Sequence, residues 1–587
     1  MGSISRRKFV KIAGVAGASI ALGGLAGCSS AQSHSESAST VANTVVYGKI
    51  YTSNASNDYA QAVAIKDGKY IFVGSEDGVE EFIKEGSTTI VDHRDKGLVM
   101  AGATEGHGHY VAAGLLGKLG LSVAGSTEEE IVANVKKYVE NNPDKSVYYT
   151  YGWDNVAMIN TKATIDMKSQ LDAICADRVM FIVDNTGHNA FCNSKAFEVA
   201  GITSNTEIVG GEFSKNENGE LLGLASDMAM NYVLKKAVAI QTIVQEADYD
   251  GIAQAMEESL HACGYTYYQD GWTNYFGTQL LEALSSYDKK TGLALMAVGS
   301  YKIDSYDDWE TEITKAEECM KSYSSDHFKC NAIKLFADGE AVESKSGWML
   351  EGYVDGTHGT QVWETDVMNS IVKAANEAGL SVHVHAQGDG AIQQVVDAYI
   401  NAESVKKDGV YNGICHGRNY LEEAKKKMGE HNIYAAENIN WRALVPKENL
   451  SSALEFLTQE QLDSGYPIKS LLENGVNVSS STDYPASSGA PTTVCGIMEI
   501  AVNDTRPDIE TYQHDKSEEV SIEEAMNIMT INGAKQLMID AERGSIEVGK
   551  YADFVLYDKD ITTCEKTKIN EGKPIAVYFE GNQVYSA

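Results

Sequence analysis

Between residues 293 and 485 the chain repeats one alternation, and that rhythm restricts its fold more than any other feature. Short apolar runs recur as "LALMAVGSY", "NAIKLFADG", "LSVHVHAQG", "NGICHG", "NIYAAENI" and "VNVSSSTDYP". Between and after them lie longer stretches such as "VMNSIVKAANEAG" and "SIEEAMNIMTINGAKQL", with apolar residues near i, i+3 and i+4. Such spacing gives one apolar stripe per helix, whereas a short continuous apolar run suits a strand buried on both faces. Parallel strands joined by crossover helices follow, and at this length they predict an α/β fold: a closed (β/α)8 barrel of the TIM type. A doubly wound open sheet is the alternative. It lacks support, because no glycine-rich dinucleotide fingerprint follows an early strand.

The two ends of the chain have a different texture. "TVVYGKIYTS", "QAVAIKDGKYIFVG" and "TTIVDHRDKGLVMAG" are β-branched, alternating runs with "DGK" turns, and "GSIEVGKYADFVLYDKD" and "KPIAVYFEGNQVYSA" repeat the style. They predict antiparallel strands. The expectation is one small β-sandwich domain assembled from residues 43–99 and 538–587. The barrel then occupies 100–537, with an insertion near 137–231, between Lys137 and Asn231, covering its mouth.

Residues 1–42 read as an address and a tether. Arg6 and Arg7 precede an apolar run rich in Gly and Ala, followed by the polar "SSAQSHSESAST". The run is too short and too weakly apolar for a spanning helix. "SRRKFVK" resembles a twin-arginine export signal, and "LAGC" resembles a lipoprotein cleavage site with Cys28 as the lipidated residue. The expectation is export by the twin-arginine route and a place in the cell envelope. A lipid anchor would hold the chain at the outer face of the cytoplasmic membrane, or it would be periplasmic. The 83 acidic residues outnumber the 48 basic ones, for a formal charge of -35. So acidic a surface repels phosphate backbones and argues against nucleic-acid binding. None of the nine cysteines forms a C-x-x-C pair, which argues against a thiolate zinc site. Most of them read as small buried hydrophobes.

Only 13 histidines are present, yet His107 and His109 stand one residue apart in "ATEGHGHY". An H-x-H pair alone is a weak signal. Its context is stronger: the pair closes "LVMAGATEG", the first candidate barrel strand, and polar residues recur at later strand ends. Lys334 lies in "NAIKLFADG", His383 and His385 end "LSVHVHAQG", His416 ends "NGICHG", and Asp483 ends "NVSSSTDYP". In a barrel all carboxyl ends meet on one face, where active sites are built. Imidazoles and a carboxylate there suit zinc or another first-row divalent metal. Each residue also has a plainer reading. Lys334 fits a snorkelling lysine, His416 a satisfied core histidine, and Asp483 a helix cap. Spacing alone does not choose between His383 and His385.

"TEGHGHY", "AIKLFADG", "HVHAQGDGAI", "ICHGRN" and "SSTDYP" together resemble the amidohydrolase superfamily, in its family 3 branch of N-substituted-formamide-deformylase-like hydrolases. The likeness runs from about residue 44 to the end and includes "DRVMFIVDNTGHNAFCNSKAFEVAGIT" and "GEFSKNENGELLGLASD". The resemblance implies one or two divalent metals, zinc first. His107, His109 and Asp483 would hold the more buried ion, and His385 and His416 the second. Lys334 would bridge them as a carbamate formed with carbon dioxide, and His383 would become a substrate-facing or supporting residue. Three departures bear on the pocket: Glu105 where the branch has Asp, Gly417 and Arg418 after the strand-six histidine, and "AENINW" in the next strand. Arg418 would favour an anionic substrate.

The chemistry so implied is hydrolysis of a C–N bond, in a non-peptide amide or cyclic amide of a small molecule, by a metal-activated water or hydroxide. Asp483 would carry the proton, and His188 in "NTGHNAF" would help hold the carbonyl oxygen. For His188 a loop histidine bonded to backbone is the plain alternative. For Trp153 in "YGWDNV" the choice lies between lining the pocket and packing the core. An ester or phosphoester hydrolase on the same metals remains open. So does a catalytically silent solute-binding envelope lipoprotein.

Overall fold

The structure is a computed structural model that describes residues 41–587 apart from 120–121, 156, 239–248, 275–276, 343, 444, 448–449, 487–488 and 507. Cys28 and residues 1–40 of the expected signal and tether lie outside the described residues. Among the described residues no helix is long and apolar enough to cross a membrane.

Eight parallel strands form the barrel: β1 (Ala103–Gly108), β2 (Tyr265–Asp270), β3 (Met296–Lys302), β4 (Phe328–Phe336), β5 (Ser381–His385), β6 (Asn412–Cys415), β7 (Tyr434–Glu437) and β8 (Val478–Ser480). Each pairs with its neighbour in chain order. The seam between β8 and β1 is closed by the chain just beyond β8. Asp483 N donates to His107 O at 2.9 Å, and Thr482 N donates to the Glu105 carboxylate at 2.9 Å. The strands approach so closely there that a Cβ on Gly106 would lie 2.7 Å from Ser480 O. This explains the first glycine of "TEGHGHY".

Crossover helices cover the barrel as their apolar spacing predicts. The helix Thr365–Ala378 buries Met368, Ile371, Val372 and Ala375, and ends at Gly379 with φ 89°. Only a residue without Cβ adopts that left-handed C-cap freely.

The chain ends share one sheet. Phe554–Tyr557 pairs antiparallel with Leu98–Ala101, which pairs in turn with Thr44–Tyr51. The sheet is continuous, and its two arms pack on a shared core that includes Val46, Ile50, Val63, Val99, Phe554 and Leu556. "LVMAGATEG", expected as one barrel strand, is therefore two strands. Leu98–Ala101 belongs to the terminal sheet and Ala103–Gly108 to the barrel. The break falls at Gly102, where a Cβ would meet Thr266 Oγ1 at 2.0 Å.

Between β1 and β2 lies a separate six-stranded sheet, from Ser122–Gly125 to Leu221–Asp227. It starts ahead of the insertion's expected beginning near Lys137, because Ser122–Gly125 pairs with Val147–Trp153. Its own core holds Trp153, Ile182, Phe191, Leu171 and Ile131.

Candidate active site

His107 sits on β1 and His109 just beyond it. The His107 ring packs against backbone: a Cβ on Gly271, after β2, would lie 2.3 Å from His107 Cε1. His107 Nδ1 shares a hydrogen bond of 2.8 Å with His383 Nε2, which leaves Nε2 buried and without a hydrogen-bond partner. Asp483, held at φ 56°, brings Oδ1 to 3.4 Å from His107 Nε2 and 3.1 Å from His109 Nε2. That Oδ1 likewise lacks a hydrogen-bond partner. A buried unpaired polar atom costs about 1–3 kcal/mol, so two facing each other mark a place where another atom belongs.

His416 and His385 close the other side, with ring centroids 4.8 Å apart. His416 Nδ1 is engaged by Asn438 Oδ1 at 2.7 Å, which directs Nε2 toward His107, whose ring lies 4.5 Å away between centroids. His385 stacks on Phe336, with Nε2 3.2 Å from Gly339 O and 3.7 Å from Asp338 Oδ1. Burial, reinforced by the Lys334 charge, pushes His107, His383, His385 and His416 well below the usual histidine range. They are neutral imidazoles, the form that ligates metals. Among the described residues, two groups of donor atoms each lie within 4.8 Å of one another: His107, His109 and Asp483, and His107, Cys415 and His416. Lys334, fully buried on β4, donates from Nζ to Cys415 Sγ at 2.8 Å. The donors present therefore fit a divalent cation.

Glu105 is also interior. Its carboxylate accepts from His107 N at 3.2 Å and Thr482 N at 2.9 Å, and burial pushes it up to about 8. It stitches the barrel seam under the histidines.

A cavity of about 120 Å³ opens over these groups. His107, His109, His385, His416 and Asp483 line its floor, and the inserted sheet supplies Asp184, His188 and Asp227 as its wall. His188 Nδ1 bonds Asp227 Oδ1 at 2.8 Å. Burial opposes the charge on this ring, but the hydrogen bond and charge of Asp227, with Asp184 behind it, raise it to about 9. His188 thus faces the cavity as a charged donor, held by a carboxylate instead of by backbone.

Three residues read as substrate contacts do not line the cavity. Trp153 is fully buried, donates to Ile182 O at 2.9 Å and stacks on Phe191, so it packs the inserted sheet. Arg418 is 1% exposed and turned away, bonded to Gln461 O and Asn419 Oδ1 with its guanidinium over Tyr466. It ties the chain after β6 to the short helix Gln459–Asp463, which removes the reason to expect an anionic substrate. His383 lies behind His107 and faces that ring.

The sequence alone does not single out Cys415, Asp227 or Asn438. Most of the cysteines read as small buried hydrophobes, and the one signal that sets Cys415 apart is its place immediately before His416. Asp227 closes the quoted "LLGLASD", but only folding shows that it meets His188.

Comparison with known proteins agrees with this geometry. The amidohydrolase family profile matches residues 95–585. The N-substituted formamide deformylase of Arthrobacter pascens is 24% identical over 554 residues, covering 92% of this chain and 97% of that protein. The putative amidohydrolase YtcJ of Bacillus subtilis is 25% identical over 531 residues, 87% of this chain and 93% of its own. A metal-dependent hydrolase of Pyrococcus horikoshii, uncharacterised in function, superposes with a TM-score of 0.68 at 20% identity, over 89% of this chain and 99% of that one. A nearly closed eight-stranded parallel barrel, histidines and an aspartate gathered at its carboxyl ends, and a family match over most of the length lead to one conclusion: this chain is a member of the amidohydrolase family of metal-dependent hydrolases.

Proposed function

We propose that the protein hydrolyses a C–N bond in a non-peptide amide or cyclic amide of a small molecule, using one or two divalent cations, zinc first among them. One observation carries the reading: His107 Nε2 and Asp483 Oδ1 face each other, buried and unpaired, on the floor of a cavity walled by His188. The deformylase relative supports C–N chemistry by its name. His107, His109, His385, His416 and Asp483 would hold the metal, with Lys334 as a carbamate. A carbamate also supplies anionic oxygens where a bare ammonium beside cations would be repelled. A bound cation supplies an acidified water and a polarised carbonyl.

The remaining roles belong to the chain itself. Asp483 is placed to take the proton of the attacking water at Oδ1 and return it to the leaving nitrogen. His188, its Nδ1 held by Asp227, presents Nε2 as a donor to the carbonyl oxygen. Tyr151, Met228, Trp272 and Phe336 give the cavity apolar walls that limit water around the scissile bond. The test is a screen of N-formyl, N-acyl and cyclic-amide compounds with metal-replete protein, beside Asp483→Asn. Turnover by the parent, lost in a variant that keeps its metal, supports the reading. Equal turnover by both removes Asp483 from the proton path. A screen without hits removes the assigned reaction.

The proposal extends to location: export, with a lipid on Cys28 holding the chain in the cell envelope. Cys28→Ser should move the protein from the membrane fraction to the soluble one, and an unchanged distribution would count against the anchor.

A further inference from the structure

The ligand set proposed above leaves one buried group in the site unused. Cys415 ends β6, is fully buried, and accepts a hydrogen bond from Lys334 Nζ at 2.8 Å. Consecutive residues of a strand point to opposite faces, so Cys415 and His416 would ordinarily diverge. His416 instead lies past the end of β6 with φ 66°, and this turn brings both side chains to one place. The rings beside Cys415 are already oriented. His416 Nδ1 is taken by Asn438 and His107 Nδ1 by His383, so each ring keeps Nε2 for ligation. His107 Nε2 is buried with no hydrogen-bond partner. One ring nitrogen of His107, one of His416 and the Cys415 Sγ lie within 4.8 Å of one another. Zinc bonds of about 2.0 Å to nitrogen and about 2.3 Å to sulfur, in tetrahedral directions, place such donors about 3.6 Å apart. That is within the span the three side chains already occupy.

We propose that Cys415 is a metal ligand in its own right, a thiolate acting with His107 and His416. The inference rests on the metal-dependent reading above and adds a donor to it. On binding, the S–H bond is replaced by a sulfur–metal bond and one proton leaves to solvent. Lys334 keeps an N–H whether it is an ammonium or a carbamate, so it donates to the ligating sulfur in either form. A thiolate beside imidazoles makes the site softer than nitrogen and oxygen alone, and favours zinc over magnesium, calcium or manganese.

X-ray absorption of the zinc-loaded full chain tests this directly. The expected result is a sulfur shell near 2.3 Å beside nitrogen and oxygen near 2.0–2.1 Å, distances typical of zinc sites. Cys415→Ser should lose the sulfur shell while zinc remains bound. The cobalt-loaded parent should show sulfur-to-metal charge-transfer absorption that the same variant lacks. Zinc bound with only nitrogen and oxygen neighbours overturns the thiolate and leaves the hydrolase reading intact. A sulfur shell that persists in Cys415→Ser overturns it as well. Protein that binds no zinc overturns both readings together. Should Cys415→Ser fold poorly, Cys415→Ala and the parental spectrum carry the same decision.

Discussion

Replacing His383 by leucine isolates what a supporting side chain contributes to the site. His383 shares a 2.8 Å hydrogen bond with His107 Nδ1, and both rings are essentially inaccessible to solvent. Leucine fills much of the same volume but offers no polar atom. His107 Nδ1 is then left buried without a partner, at a cost of about 1–3 kcal/mol, and its ring is free to rotate away from Asp483 and Cys415. Outer partners of ligating histidines typically account for a factor of about 10–100 in metal affinity. At about 1.4 kcal/mol per factor of ten, that is roughly 1.4–2.8 kcal/mol, matching the penalty for the orphaned nitrogen. The assay is zinc titration of the apo protein against a competing chelator, with thermal unfolding recorded with and without zinc. Leucine should weaken zinc binding about tenfold or more and shrink the stabilisation that zinc confers, while glutamine, which restores a polar partner, should recover part of both. A properly folded leucine variant that binds zinc within a factor of about two of the parent would refute the reasoning.

Further outcomes follow from other parts of the molecule. Gly106→Ala places a Cβ against Ser480 O at the barrel seam. It should lower the midpoint of urea unfolding, by about 1–3 kcal/mol of stability as for other overpacked sites. His188→Ala removes the cavity's charged donor, and loss of one such donor typically lowers kcat by about 100- to 1,000-fold; bound metal, measured by elemental analysis, should be unchanged. His327 lies 3.3 Å from Asp288 and 3.2 Å from Glu580, and these two carboxylates outweigh its burial and raise it to about 9. An unfolded histidine titrates near 6.5. The contribution of His327 to stability is therefore complete below about 6.5 and lost as pH rises through about 9. Denaturant unfolding from pH 6 to 10 should show that decline in the parent, and His327→Gln should lose this part of it.

Some of this protein was legible in one dimension because the relevant physics is local. Apolar runs in "LSVHVHAQG" and the stripe Met368, Ile371, Val372, Ala375 follow from the two spacings that strands and helices impose on any sequence. Once a barrel is inferred, His107, His109, His385, His416 and Asp483 must share an end, since all parallel strands finish on one face. The texture of the terminal segments is that of strands, but nothing local in it says that Gly102 splits "LVMAGATEG" between two sheets.

What the sequence could not supply was direction. His383 and His385 alternate onto the same face of β5, yet one props His107 from behind while the other lines the cavity, because depth along a strand is set by the neighbouring strands. Arg418 reads as a pocket cation until its guanidinium is seen bonded to Gln461 O and turned from the cavity. Cys415 reads as filler until the left-handed turn at His416 brings it beside Lys334 and two imidazoles. Periodicity is a property of neighbours in the chain. Which side chains meet across the barrel is decided by strand register, by turns at strand ends, and by what else competes for each hydrogen bond.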